Sequence, residues 1–354
     1  MTDVHEIFAH HGGRLKEAAL AFPDAPKPWL DLSTGINPQS WPMQQVSLSC
    51  YDRLPDPCDV FTLEAAAAAV FGTAADRVAA VPGAEAGLRA LPDILRLKSV
   101  SIVSPTYGSH ENAWRSAGAK VSIIDNKSVG NLQTGAVVLV NPNNPDGHLF
   151  EPALIKNLIA RQTARDGWTI IDESFIDPTP AFSIASEAGN RLVVIRSFGK
   201  FFGLPGLRLG FVLADPAVAS CVRQRFGDWP LSPQALESGL HAYRDISWQE
   251  NSRQRLAEDA LRLEQILSAA GFTSIGGGPL FQLVRSDNAR DWFRHLANQG
   301  ILTRPFSGQP SWLRFGLPAR KEWPRLERAL EQGRATITSR TGSKDLRDSE
   351  DARS

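Results

Sequence analysis

The chain has 354 residues, 42% hydrophobic and 21% charged, with a formal net charge of +0 and a pI near 7.1. That length supports one large and one smaller domain, and the neutral balance lacks the basic excess that nucleic-acid or anionic-membrane binding needs. Three scattered cysteines (Cys50, Cys58, Cys221) in no metal spacing, no apolar run approaching about 18 residues and no signal-type N-terminus predict a cytoplasmic enzyme-sized protein.

Residues 1–45 read as an N-terminal arm that contributes to a substrate site, and residues 46–232 as the large domain. Within the latter, Thr62–Gly72 is an alanine-rich segment with a cap at its start and glycine at its end, which predicts a helix. Short β-rich runs then alternate with helical stretches. The predicted strands are Arg77–Val81, Val100–Val103, Val121–Ile124, Ala136–Val140, Trp168–Ile171, Leu192–Ile195 and Leu209–Leu213, with helices at Ala84–Leu95 and Glu151–Arg165 among them. Apolar strands joined by helical crossovers imply an α/β fold whose central sheet is mostly parallel and covered on both faces.

After Trp229-Pro the pattern changes, and residues 233–335 read as a smaller α+β domain. Residues 234–270 have helical spacing. A strand-turn-strand follows between Phe272 and Val284, turning at Gly276-Gly-Gly-Pro. A helix (Asn288–Gln299), short strands (Ile301–Thr303, Trp312–Phe315) and a last helix (Lys321–Arg334) complete it. Residues 336–354 are polar and nearly free of apolar side chains, which predicts a disordered tail.

Ligands of an open parallel sheet bind beyond the carboxyl ends of its strands, and the residues found there form an ordered set. Pro82-Gly83-Ala84-Glu85 is a glycine turn opening a helix, whose free N–H groups suit a phosphate. Tyr107 follows the second strand, Asn141-Pro-Asn-Asn144-Pro the fourth and Asp172-Glu173 the fifth. Ser197 and Lys200 follow the sixth, in Ser197-Phe-Gly-Lys-Phe-Phe-Gly-Leu-Pro-Gly-Leu-Arg208. Each has a plainer explanation: glycine turns open many helices, Tyr107 could simply pack, and Asn-Pro pairs are turn formers. Asp172-Glu173 also resembles the acidic strand end of a nucleotide hydrolase, but the glycine-rich lysine loop such an enzyme needs is absent.

Taken together they suit one cofactor, pyridoxal 5'-phosphate (PLP). Lys200 would bind its aldehyde, Asp172 would pair with its ring nitrogen, and Asn144 would donate to its phenolic oxygen. Tyr107 would lie on the ring face, with the Gly83-Ala84-Glu85 turn, Ser197 and Arg208 around the phosphate.

With Asn-Asn-Pro-x-Gly, Asp-Glu-x-Phe, Ser-x-x-Lys and Arg208 in this order, the sequence resembles the fold-type I, aspartate-aminotransferase-like PLP enzymes over about residues 8–335. Within them it is most similar to the L-threonine-O-3-phosphate decarboxylases of cobalamin biosynthesis, followed by histidinol-phosphate aminotransferases. His11-Gly-Gly-Arg, Asp31-Leu-Ser-Thr-Gly35-Ile-Asn37-Pro and Phe175 carry the first preference, since the aminotransferases usually have tyrosine in place of Phe175.

The resemblance implies a homodimer acting on a small phosphorylated amino acid. Arg314 would clamp the substrate carboxylate, and Arg304, His11, Gly35 and Asn37 would surround the substrate. Without the resemblance, both arginines read as surface ion-pair formers. His110 is a candidate to back Asp172. Leu54 stands where relatives carry a tyrosine that reaches the neighbouring subunit's cofactor phosphate. Decarboxylation and amino transfer share all these groups, so amino transfer stays open. A non-catalytic PLP-fold sensor would carry a separate DNA-binding domain, and the sequence has no basic patch to suggest one.

Overall fold

The computed structural model describes residues 4–9, 11–131 and 135–351. It divides into two compact units, Gln39–Arg255 and Met1–Pro38 with Leu256–Ser354. The division falls inside the helix Ile246–Ala269 rather than near residues 45 and 232. Local bonds account for the shift. Trp41 bonds through its backbone to Phe202 and through its indole to Asp245, and Gln234 bonds to Gln44 and Val46. Residues 39–45 and the helix Pro233–Arg244 are thereby held in the larger unit.

The larger unit is built on seven strands: β1 (Val78–Val81), β2 (Ser99–Val103), β3 (Lys120–Ile124), β4 (Ala136–Val140), β5 (Trp168–Asp172), β6 (Leu192–Ser197) and β7 (Gly210–Leu213). Their order is β1-β7-β6-β5-β4-β2-β3. β7 alone runs against its neighbours, and the remaining pairs are parallel. Every residue of β1, β4 and β7 is buried, as expected of strands covered on both faces, whereas β3 at the sheet edge is mostly open.

The helix before β1 runs Pro57–Phe71, a turn longer at its start than its alanine run suggested. Asp56 supplies the cap by accepting from the Cys58 N–H, and Pro57 takes the first helical position, where no N–H is needed. Glu64 ties this helix to the sheet: its buried carboxylate accepts from the Ala80 N–H at 2.8 Å and pairs with Arg223 at 3.1 Å. The helix Ser109–Ser116 was not foreseen; its sequence is polar, and burial of His110, Ala113 and Trp114 holds it to the sheet.

The smaller unit contains an antiparallel sheet of β8 (Thr273–Gly278), β9 (Phe281–Arg285), β10 (Arg304–Pro305) and β11 (Trp312–Gly316), in the order β10-β11-β9-β8. The turn falls after Gly278 rather than at Gly276, because Gly277 and Gly278 pair in register with Gln282 and Phe281. Leu30–Asp31 pairs in parallel with Ile301–Leu302, and two N-terminal helices, Val4–Ala9 and Leu15–Ala21, precede it. The tail expected to be disordered from residue 336 is helical instead: the last helix runs Trp323–Asp351, and residues 352–354 lie outside the described residues. Once nucleated on a packed segment, a helix adds one hydrogen bond per residue fixed and needs no further apolar content. Among the described residues no helix is long and apolar enough to cross a membrane.

Removing the cap by Asp56→Ala should destabilise the larger unit by about 1 kcal/mol. Urea unfolding of purified protein checks this, and an unchanged midpoint would contradict the role of the cap.

Candidate active site

The carboxyl ends of β4, β5 and β6 open onto a cavity of about 260 Å³ within the larger unit. Gly83, Ala84, Glu85, Tyr107, Asn144, Asp172, Ser197, Lys200 and Arg208 all line it. The nine cofactor ligands expected from scattered stretches of sequence thus meet in one place. Phe175 and Ser174 also face the cavity.

The cavity's acid is held by its surroundings. Asp172 ends β5 and is 4% exposed. His110 Nε2 lies 2.9 Å from Oδ2, and the Ser174 N–H donates to Oδ1 at 2.9 Å. Burial alone would raise the carboxyl pKa, but the His110 and Ser174 hydrogen bonds outweigh it and hold the group below its ordinary value. The helix Ser109–Ser116 delivers His110, which confirms the expected contact with Asp172.

The glycine turn has a steric reason. Gly83 sits at φ +91°, and a Cβ there would collide with the Arg208 guanidinium. Gly210, the first residue of β7, lets that strand pass under the Ala84 N–H, which a side chain at 210 would block. Arg208 is held by its own backbone in a left-handed conformation and donates to the Pro205 carbonyl at 3.2 Å.

Asn144 is carried by a turn fastened at several points. Asn143 donates to the Pro105 carbonyl and to Asp146 and accepts from Thr106, while Asn141 accepts from the Phe150 N–H and donates its own N–H to the Asp172 carbonyl. Lys200 is half-buried, its Nζ 5.3 Å from the centre of the Phe175 ring. Tyr107 meets His110 edge to face at 6.4 Å, and burial, with Glu85 and Asp172 nearby, raises its phenol pKa despite a hydrogen bond with Ser109.

The five expected substrate residues belong to the smaller unit. Ser33 links two of these stretches: its hydroxyl accepts from the Gly13 N–H, two residues after His11, and its carbonyl accepts from the Arg314 guanidinium at 2.9 Å. Gly35 and Asn37 are buried on the same stretch. Arg304 and Arg314 are register partners on β10 and β11. Burial first, then the neighbouring Arg304, pushes the Arg314 guanidinium well below its ordinary pKa, with Asp31 opposing. Like charges directly opposite across strands are unfavourable, and Asp31 offsets the repulsion at Arg314. Arg314 is 2% exposed, so it is no surface ion-pair former.

A family model described as aminotransferase class I and II matches residues 55–332. The chain belongs to the class I and II aminotransferase family. Within that family it is 41% identical to the threonine-phosphate decarboxylase of Pseudomonas aeruginosa, over 90% of this chain and 96% of the relative. The histidinol-phosphate aminotransferase of Yersinia enterocolitica matches more weakly, at 26% identity over 83% of this chain and 85% of the relative. A solved structure of histidinol-phosphate aminotransferase from Sinorhizobium meliloti, in complex with pyridoxal-5'-phosphate, superposes with a TM-score of 0.76 at 16% identity, covering 95% of this chain and 98% of that one.

The cavity fits PLP, the cofactor of this family. It presents an amine, a carboxylate kept ionised for a pyridinium, and a turn whose Cβ-free position leaves room for Arg208 beside a phosphate. What sequence reasoning missed lies behind the cavity. Arg196, one residue before Ser197, pairs with Glu173 at 3.1 Å and with Asp177, all three buried. The only signal was an arginine within an apolar strand.

The lowered pKa of Asp172 has a sign. Its contribution to stability is complete above the unfolded carboxyl value of about 3.9 and is lost as pH falls through the lower folded value. The stability gap between wild type and Asp172→Asn should therefore shrink in that acid window, in urea unfolding at stepped pH. A gap independent of pH would contradict the bonding described.

Proposed function

We propose that this protein decarboxylates L-threonine O-3-phosphate to (R)-1-amino-2-propanol O-2-phosphate and CO2, the aminopropanol piece of cobalamin. The observation that carries the reading is the meeting of Lys200, Asp172 and Arg208 in one cavity, in a chain whose stronger relative is a threonine-phosphate decarboxylase. PLP, when bound, supplies an electron sink for the pair released as the bond from Cα to the carboxylate breaks.

The roles of the chain's own residues follow. Asp172, ionised and backed by His110, holds a proton on the ring nitrogen and so maintains the sink. Ser197, Arg208 and the Gly83 turn would anchor the phosphate, each charge-assisted bond contributing about 1.5–3 kcal/mol. Asn144 would donate to the phenolic oxygen, and Tyr107 would lie on the ring face. The Phe175 ring beside Lys200 has no hydrogen-bonding group, so Asn144 would be the polar partner of the phenolic oxygen. Lys200 Nζ would hold the cofactor aldehyde and would carry the proton delivered to Cα once CO2 has left. Arg314 would clamp the substrate carboxylate, Arg304, His11 and Asn37 would surround the substrate phosphate, and Gly35 would also bind the substrate.

Incubation with threonine phosphate and PLP should release CO2 and yield the aminopropanol phosphate. Lys200→Ala should lower that rate at least about a hundredfold and abolish borohydride tagging of residue 200. Amino transfer from histidinol phosphate to 2-oxoglutarate without CO2 release would overturn the assignment.

The protein works, on this reading, as a cytoplasmic homodimer. Leu48 and Leu54 are 84% and 63% exposed, and Tyr51 lies between them. A second copy is the natural cover for such a patch. Leu54, standing in for the tyrosine of relatives, would then be an apolar contact with the partner subunit rather than a phosphate ligand. Light scattering should return twice the 38.6 kDa chain mass; a monomer that decarboxylates at full rate would refute it.

A further inference from the structure

Two stretches of chain build the Lys200 end of the cavity. One is Asp172–Asp177, which leaves β5 and carries Ser174 and Phe175; the other is Arg196–Lys200, which leaves β6 and carries Ser197. The first is joined backbone to backbone to the residue before the second, where the Glu173 N–H donates to the Ile195 carbonyl at 2.8 Å. Successive side chains along a strand point to opposite faces. Asp172 and Ser197 face the cavity, so Glu173 and Arg196 face away from it.

On that rear face Arg196 pairs with Glu173 at 3.1 Å through one nitrogen and with Asp177 through the other. Glu173 is also held by the Ser183 hydroxyl at 2.6 Å and the Ile184 N–H at 2.7 Å. The Arg196 guanidinium stacks on Phe71 at 4.4 Å, and Arg253 donates to the Asp177 carbonyl at 2.9 Å. Glu173 and Asp177 bracket Phe175, the ring beside Lys200. One planar fork therefore fixes both ends of the segment that presents Phe175, from a position four residues before Lys200.

We propose that Arg196 is a positioning residue: by clamping Glu173 and Asp177 behind the cavity, it sets the placement of Phe175 against Lys200. The inference rests on the reading of Lys200 as the cofactor lysine. An arginine that served stability alone could be weakened at a cost in melting temperature and nothing else. A positioning role predicts altered chemistry at the amine, because a small displacement of a reacting group lowers rate more than binding.

The test uses PLP-loaded protein: wild type, Arg196→Met, Arg196→Lys, Asp177→Asn, and Val222→Ala as a control that opens the core elsewhere in the same unit. Melting temperature, kcat, KM, borohydride tagging of Lys200 and the pH midpoint of the bound cofactor's visible band are measured. Arg196→Met and Asp177→Asn should lower kcat roughly tenfold or more, leave KM nearly unchanged and shift the midpoint. Arg196→Lys, charged but unable to fork, should recover part of kcat. Val222→Ala should lower the melting temperature and leave midpoint and kcat as in wild type.

The proposal is overturned if the Arg196 and Asp177 variants lose melting temperature while kcat and midpoint stay at wild-type values. Should Arg196→Met yield no folded protein, Asp177→Asn decides the matter alone. Failure of wild type to be tagged at Lys200 would overturn the functional reading and this inference with it; normal tagging with unmoved variants overturns only the inference.

Discussion

The ionised carboxylate of Asp172, buried at the end of a central strand, is the constraint around which the larger unit is organised. An isolated carboxylate in such a place would take up a proton, because burial disfavours its charged form. Here His110 and the Ser174 N–H reverse that preference. Both donors depend on the fold. The Ser174 N–H is aimed by the turn that leaves β5, and His110 by a polar helix whose apolar face is fixed beneath the sheet. The charge exists because the sheet, the helix and the turn agree on one geometry.

The sheet divides its labour by the two-residue period of its strands. Residues of one parity at the ends of β5 and β6 face the cavity with groups suited to a cofactor. Those of the other parity face a closed ionic cluster. Burying three charges in that cluster is costly unless each is met, and removing one partner of such a group typically costs about 3–5 kcal/mol. Burial works against the Arg196 charge, but Asp177 and Glu173 more than restore it and raise its pKa. Rigidity behind a site is what keeps the front of it within reach of its chemistry.

The cavity was legible in the sequence because its ligands are local. Gly83, Asn144, Asp172, Ser197 and Lys200 each follow a recognisable apolar strand within a few residues, and a parallel sheet gathers such ends at one edge. What escaped depends on distance along the chain or on packing. The Arg196 cluster joins residues 173, 177 and 196, and no spacing rule brings them together. The helix Ser109–Ser116 has too little apolar content to announce itself, although His110 had been singled out as a backer of Asp172. The helical stretch beyond residue 336 follows from propagation, which composition does not report. The inclusion of residues 39–45 and the helix Pro233–Arg244 in the larger unit reflects contacts of Trp41 and Gln234 that a shift in composition does not mark.

The smaller unit poses the question of reaction choice in electrostatic terms. Arg304 and Arg314 oppose one another across neighbouring strands, and Arg314 is buried with Asp31 as its opposing charge. On the proposed reading, a phosphorylated amino acid brings both a carboxylate and a phosphate for such cations. Interaction made with groups remote from the breaking bond can be spent on orienting that bond. A guanidinium that grips a carboxylate in two parallel bonds fixes its plane as well as its position. On the proposed reading, the phosphate supplies the binding energy and Arg314 the angle. On that reading, the choice between losing CO2 and losing a proton from Cα is one of orientation, set by how a substrate's anions are held, and not by the groups that line the cavity around Lys200.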